Sequence, residues 1–93
     1  MNHVYRIVTS ETDHFVAESK EEATRMHRGL YGRVEQILFA RQEPDGRTLS
    51  MATDRLDDDG NHVIDEKTFG EWADGAPKGL LCSTRFIEGG EAT

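Results

Sequence analysis

The sequence predicts an α+β domain built on a mainly antiparallel sheet of five to six strands, with one main helix and one short helix. Short runs rich in β-branched and aromatic residues alternate with polar turns, which is typical of antiparallel strands. Two segments carry the S/T-x-x-E signature of a helix start, at Ser19 and at Thr68. A chain of 93 residues supports one hydrophobic core, so we expect one domain over residues 1–87 and a disordered tail over 88–93.

The first two strands are predicted at residues 4–9, VYRIVT, and 13–18, DHFVAE, as a hairpin joined by a three-residue loop. Pairing Ile7 with Phe15 gives one apolar face, which consists of Tyr5, Ile7, Phe15 and Ala17. The opposite face mixes polar and apolar side chains, namely Val4, Arg6, Val8, His14 and Val16.

The segment SKEEATRMHRGLYG, residues 19–32, predicts the main helix. Ser19 and Glu22 form a capping box, and acidic residues precede basic ones, as the helix dipole favours. Gly29 and Gly32 are candidates for the helix end. The apolar stripe at helical spacing consists of Ala23, Met26 and Leu30, with His27 at its border.

A second hairpin is predicted from residues 33–42 and 48–56, because Pro-Asp-Gly between two strand-like runs favours a turn. The register that faces Glu43 with Arg47 gives two further opposite-charge pairs, which is favourable across strands. The residues facing each other in that register are Glu35 and Arg55, Arg33 and Asp57, Phe39 and Met51, and Leu38 and Ala52.

The last third of the chain predicts a turn, a short strand, a short helix and a final strand. The run DDDGN, residues 57–61, supplies residues that suit a tight turn before the short strand HVI. Thr68 and Glu71 form a capping box for TFGEWADG, with Gly75 as the helix end. The alternating segment GLLCSTRFI, residues 79–87, predicts the final strand.

The charge is negative and unevenly distributed. Of the net charge of −7, residues 1–50 contribute −1 and residues 51–93 contribute −6. Such a surface repels nucleic acids and anionic lipids and favours cations or a basic protein, although solubility alone also explains it. The N-terminus does not resemble a signal peptide, and no apolar run approaches the ~20 residues of a membrane span, so we expect a cytoplasmic protein.

The acidic turn resembles a calcium loop only superficially. Aligned on Gly60 as the sixth position, it has Arg55 at the first, where a cation would face the metal, and His62 at the eighth, where an apolar residue is usual. We therefore interpret it as a hairpin turn. Three consecutive aspartates exceed what a turn needs, and binding is one role for the excess charge.

No catalytic constellation is visible in the sequence. The single cysteine, Cys82, excludes an intramolecular disulfide and has no evident electropositive setting, so we interpret it as a small buried thiol. The histidines lack metal-site spacing, and no phosphate-binding glycine loop or G-x-S-x-G motif is present. We expect no enzymatic activity and no cofactor or metal.

The leading hypothesis is a non-enzymatic module that binds a basic protein surface. In its small size and acidity the chain resembles accessory proteins of phages and mobile elements, including anti-CRISPR inhibitors, although no motif carries a residue role. If the partner surface holds nucleic acid, binding would inhibit it competitively. Trp72 is a core residue in one interpretation, which we favour, and an interface residue in the other. The candidate carboxylates are Asp54, Asp57, Asp58, Asp59, Asp65, Glu66, Glu71 and Asp74.

Two alternatives stay open from the sequence. The first is a self-associating module that forms a dimer through a sheet edge or the helix of Trp72. The sequence is compatible with both a monomer and a homodimer. The weaker one is a domain that binds calcium at low affinity.

Overall fold

The structure is a computed structural model that describes residues 1–32 and 36–84. It confirms the α+β class, with six strands and two helices in the described ranges. The elements are β1 (His3–Val8), β2 (Thr12–Ala17), α1 (Lys20–Tyr31), β3 (Phe39–Gln42), β4 (Thr48–Leu56), β5 (His62–Thr68), α2 (Phe69–Gly75) and β6 (Gly79–Ser83). The expected tail, residues 88–93, lies outside the described residues.

The strands form two sheets. The larger has the order β3-β1-β2-β6, and β4 and β5 form a separate two-stranded sheet. All pairs in both sheets are antiparallel.

The predicted hairpin between residues 33–42 and 48–56 is wrong. Pro44 still begins a turn, since its carbonyl accepts from Arg47 N at 3.1 Å, but β3 pairs with β1 and β4 pairs with β5. Exposed cross-strand charge pairs contribute less than about 1 kcal/mol each, whereas pairing with β1 packs Ala40 against the core. Residues 33–35 of the predicted register lie outside the described residues.

The first hairpin is correct in its faces but wrong in register. Tyr5, rather than Ile7, pairs with Phe15, so the three-residue connection moves from residues 10–12 to residues 9–11. Thr9 N donates to the carbonyl of Glu11 at 2.8 Å and closes this tight turn. The error is two residues, and side chains alternate with a period of two, so every side chain stays on its predicted face.

Both faces of the two central strands, β1 and β2, are largely buried. On one face, the core packs beneath α1 and consists of Tyr5, Ile7, Phe15, Ala17 and Ala23. On the other face, α2 covers a second cluster that consists of Val4, Val16, Phe69 and Ala73. The mixed face predicted for the first hairpin is therefore a partly apolar, partly polar layer beneath α2.

Helix α1 begins at the predicted cap and ends at Gly32, whose φ of 75° favours glycine. Ser19 Oγ accepts from Glu22 N at 3.1 Å, while Glu22 Oε1 accepts from Glu18 N rather than from Ser19. The buried stripe includes His27, which is 1% exposed, whereas Leu30 is 54% exposed. Neither helix of the described chain has the length and apolar character needed to cross a membrane.

Candidate functional site

The strands β4 and β5 with their connecting turn, residues 48–68, form a feature that we call the acidic arm. Within the described residues β4 and β5 pair with no other strand, and their register runs from Thr48 opposite Thr68 to Leu56 opposite His62. Its base contacts the rest of the protein through Leu49, which packs against the second core cluster. The outer part of the arm is thus available for contact with another molecule.

The tip of the arm is the predicted tight turn. Asp57 Oδ1 accepts from the backbone N–H groups of Asp59 and Asn61, each at 2.9 Å. Gly60, with a φ of 83°, supplies the left-handed position that this turn requires. Asp57 therefore has a structural role, since its carboxylate holds the turn together.

Five of the arm's carboxylates are exposed and have no cation within ion-pair distance among the described residues: Asp54, Asp57, Asp58, Asp59 and Glu66. Asp57 and Glu66 accept hydrogen bonds within the arm, whereas Asp54, Asp58 and Asp59 accept none from the described residues. By contrast, Asp65 accepts two hydrogen bonds from Arg55 Nη2, at 2.7 and 2.8 Å. Glu66 Oε2 accepts from Ser50 Oγ at 3.2 Å. The strands alternate their side chains, so Asp65 and Glu66 lie on opposite faces of the arm.

The remaining predicted residues lie on α2. Glu71 closes the capping box of α2, and hydrogen bonds from the backbone and hydroxyl of Thr68 lower the pKa of its carboxyl. Trp72 is half-buried, its Nε1 donates to the carbonyl of Leu49 at 2.9 Å, and its ring lies 4.7 Å from Lys67 Nζ. Asp74 is exposed. The structure therefore gathers Asp54 and residues 57–59 towards the tip and places the α2 residues beside the base.

A second group of polar side chains, which the sequence analysis missed, crosses the larger sheet beneath α2. Arg41 pairs with Arg6, Arg6 with His14, and His14 with Cys82, so each of the four strands contributes one residue. Directly paired residues share a face of a sheet. Glu43, which directly follows β3, contacts His14 from the end of this row. We call His14, Cys82 and Glu43 the thiol cluster.

The thiol cluster has a defined geometry. His14 Nδ1 lies 3.6 Å from Cys82 Sγ, and His14 Nε2 lies 3.4 Å from Glu43 Oε2. Glu43 is buried, and its other oxygen lies 3.8 Å from Arg6 Nε. The ring of Phe69 stacks on His14 at a centroid distance of 5.7 Å. A thiol, an imidazole and a carboxylate thus lie one after another in a single line of contacts.

Burial shifts the pKa values of two members. It lowers the pKa of His14, against the opposing influence of Glu43, and it raises the pKa of Cys82 to about 11 with a contribution from Asp13. At neutral pH the histidine is therefore uncharged and the cysteine is a thiol.

Two cavities border the cluster. One, of about 140 Å³, is lined by Thr12, His14, Cys82, Ser83 and Thr84. The other, of about 230 Å³, lies between the sheet and the base of the arm and is lined by Arg6, Thr12, His14, Glu43, Arg47, Thr48, Leu49 and Phe69. Within the ranges that the structure describes, no group of three or more His, Cys, Asp or Glu side chains is placed to hold a metal ion.

The comparisons with known proteins give no match: no family model, no curated protein and no solved structure corresponds to this chain. The geometry of the arm and of the thiol cluster is therefore the basis for a function.

Proposed function

We propose that this protein is a non-enzymatic binding module whose acidic arm contacts a basic surface of another protein. The observation that supports the proposal is the position of Asp54, Asp58 and Asp59. All three are exposed towards the tip of a strand pair, and none has an ion-pair partner within the described ranges.

The charge of the arm favours a cationic partner. Like charges close together in a turn repel one another, and a cationic surface relieves that repulsion on binding. Exposed carboxylates also raise the rate at which a basic protein associates and discourage nucleic acid and anionic lipid as direct ligands. Where the basic surface normally holds nucleic acid, the bound arm would exclude it, which is the inhibitor role expected from the sequence.

The same proposal places the protein in the cytoplasm. The single half-buried cysteine among the described residues is free, and cytosolic proteins keep their thiols reduced.

The test is affinity capture of the tagged full chain from a lysate of its source cell, at about 0.05 M and about 0.5 M salt. We expect a basic protein to be retained at the lower salt and released at the higher, where the Debye length falls to roughly 4 Å. Replacing Asp58 and Asp59 with Asn should abolish retention, since asparagine suits a turn but carries no charge. Asp57 is left unchanged because it holds the turn.

The matched control removes the same charge elsewhere, by replacing Glu18 and Glu21 with Gln at the start of α1. Both residues are exposed, and among the described residues the Glu18 side chain takes part only in a surface ion pair with Lys78, 3.6 Å away. Equal loss of the captured protein in both double variants would show that the net charge of the protein, and not the arm, retains the partner, which would contradict the proposal. Retention that neither salt nor the Asp58 and Asp59 variant changes would refute the proposal.

Self-association is the second candidate, and a different observation favours it. Leu56 and Ile64, on β4 and β5, are each 60% exposed. A dimer that covers them would be insensitive to salt and would show a mass that rises with concentration. Sedimentation at both salt concentrations separates the two functions.

A further inference from the structure

The thiol cluster has the arrangement of an activated nucleophile. In such sites a nucleophile lies within reach of a base, and a third group orients that base. Here Cys82 Sγ is 3.6 Å from His14 Nδ1, and Glu43 Oε2 is 3.4 Å from the other ring nitrogen. The stacked ring of Phe69 further restricts the imidazole.

We propose that Cys82 is a nucleophilic thiol, deprotonated by His14 as it attacks, that accepts the acyl group of a small, uncharged thioester. The inference goes beyond the proposed binding function and uses no residue of the acidic arm. It describes the covalent modification of Cys82 in a single turnover.

The step balances in atoms and electrons. Cys82 Sγ attacks the carbonyl carbon of the thioester while its proton passes to His14 Nδ1. The tetrahedral adduct then breaks its bond to the original sulfur, and His14 returns the proton to that leaving thiolate. The net change is Cys82–SH plus R–CO–S–R′ giving Cys82–S–CO–R plus R′–SH, with no oxidant or reductant.

Glu43 fixes the tautomer that this step needs. A neutral imidazole carries one proton, and a hydrogen bond to a carboxylate holds that proton on the nitrogen facing it. With Nε2–H directed at Glu43, Nδ1 is an acceptor towards the thiol. Glu43 also stabilises the imidazolium that forms when His14 takes the proton. It is therefore a positioning residue for the reaction.

The protonation states of Cys82 and His14 before the reaction favour transfer of the Cys82 proton to His14 during the attack. Burial keeps His14 neutral, so it is ready to accept a proton. With the pKa of Cys82 raised to about 11, roughly one thiol in ten thousand is ionised at pH 7, so attack by free thiolate is slow. The charged groups facing His14 or lining its cavity from other elements are Arg6, Glu43 and Arg47, with Asp13 on its own strand.

The cavity beside the thiol indicates the kind of acyl group. Its volume of about 140 Å³ is close to that of a cavity that holds benzene, so it takes a short acyl chain. Thr12, Ser83 and Thr84 line it beside His14 and Cys82, and its wall is mainly apolar, which suits an uncharged acyl group. The carboxylate of Glu11 accepts a hydrogen bond from Thr84, and Asp13 raises the pKa of Cys82, so this end of the sheet disfavours an anionic group.

The experiment incubates the full chain with S-phenyl thioacetate and follows the intact mass, with peptide mapping of the modified residue. We expect addition of one acetyl group at Cys82, at a rate that is constant between about pH 7 and pH 9 because His14 is already neutral there. In His14→Asn, reaction should be at least about 100-fold slower at pH 7 and should rise about tenfold per pH unit, as for an unassisted thiol.

Further variants separate a chemical role from a structural one. Glu43→Gln keeps a hydrogen-bonding group but loses the charge, so its acetylation rate should lie between those of the wild type and His14→Asn. This variant replaces His14→Asn in the test if His14→Asn does not fold. His62→Asn, an exposed histidine on the arm, should react like the wild type, and Cys82→Ser should not be acetylated at that position. The proposal is overturned if the wild-type rate rises with pH as steeply as that of His14→Asn, or if only lysines are acetylated.

Discussion

At the scale of single residues, a buried polar group lies beneath α1. Asp13 is fully buried, and its Oδ1 accepts from the hydroxyl of Tyr31 at 3.1 Å. His27 Nε2 lies 3.5 Å from the other oxygen of Asp13, and the His27 ring contacts Phe15 and Tyr31 edge-on. Neither ring nitrogen of His27 makes a hydrogen bond to the described residues, so the Tyr31 hydroxyl is an important donor to Asp13, because burying a carboxylate without partners is costly.

Tyr31→Phe tests this dependence. Removing the hydroxyl leaves a buried carboxylate with one donor fewer, so we expect the free energy of unfolding to fall by about 1–3 kcal/mol in urea titrations. Tyr5→Phe is the matched control, since the Tyr5 hydroxyl makes only a long bond of 3.4 Å to the carbonyl of Glu18 and its loss should cost about 1 kcal/mol or less. Equal losses in the two variants would contradict the argument.

At the scale of elements, α2 shows how a very short helix is stabilised. Its seven residues are too few for a stable isolated helix, so it depends on its cap and on packing. Thr68 Oγ1 accepts from Glu71 N at 3.1 Å, and Glu71 Oε1 accepts from Thr68 N at 2.9 Å. Phe69 and Ala73 then pack on the sheet over Val4 and Val16.

Thr68→Ala removes the cap and should lower the free energy of unfolding by about 1 kcal/mol. The control is Thr24→Ala, in the interior of α1, where the threonine hydroxyl donates to the carbonyl of Lys20 at 2.9 Å. Alanine has the higher helix propensity and that hydroxyl bond is not a cap, so Thr24→Ala should be neutral or slightly stabilising. Thermal unfolding of both variants distinguishes them, and a Thr68→Ala protein as stable as the wild type would count against the cap.

At the scale of the whole molecule, the chain combines a sheet covered on both faces with a two-stranded arm. The molecule extends 42 × 34 × 19 Å. The first two strands lie in the middle of the larger sheet and contribute buried residues to both clusters. In the arm, by contrast, every residue from position 48 to position 68 is at least partly exposed. An isolated pair of strands is marginally stable in water, so the arm depends on its base.

We therefore expect the arm to open locally without unfolding of the core. In native-state hydrogen exchange, hydrogen-bonded amides of residues 51–65 should exchange on the order of 100-fold or more faster than those of β1 and β2, after correction for intrinsic rates. A common protection factor for both groups would show instead that the protein opens as one unit. Such an opening would make the arm adaptable to a partner surface.

The sequence alone determined the elements that depend on local interactions. The starts of both helices follow from hydroxyl and carboxylate groups three residues apart, and the tip of the arm follows from aspartates and Gly60. The faces of the first hairpin follow from alternation, which survives a register error of two residues. The unequal charge of the two halves likewise follows from the sequence alone, and the structure places the acidic turn at the tip of an exposed arm.

Only the tertiary structure decided which strands pair and which distant side chains meet. A local charge pattern predicted β3 beside β4, but pairing with β1 packs Ala40 against the core, and the competing exposed charge pairs contribute only about 1 kcal/mol or less each. Cys82 and His14 are far apart in the sequence and become neighbours because β6 pairs with β2, which no local propensity specifies. The thiol cluster and the separate arm follow from strand order, and strand order is set by the burial of apolar surface across the whole chain.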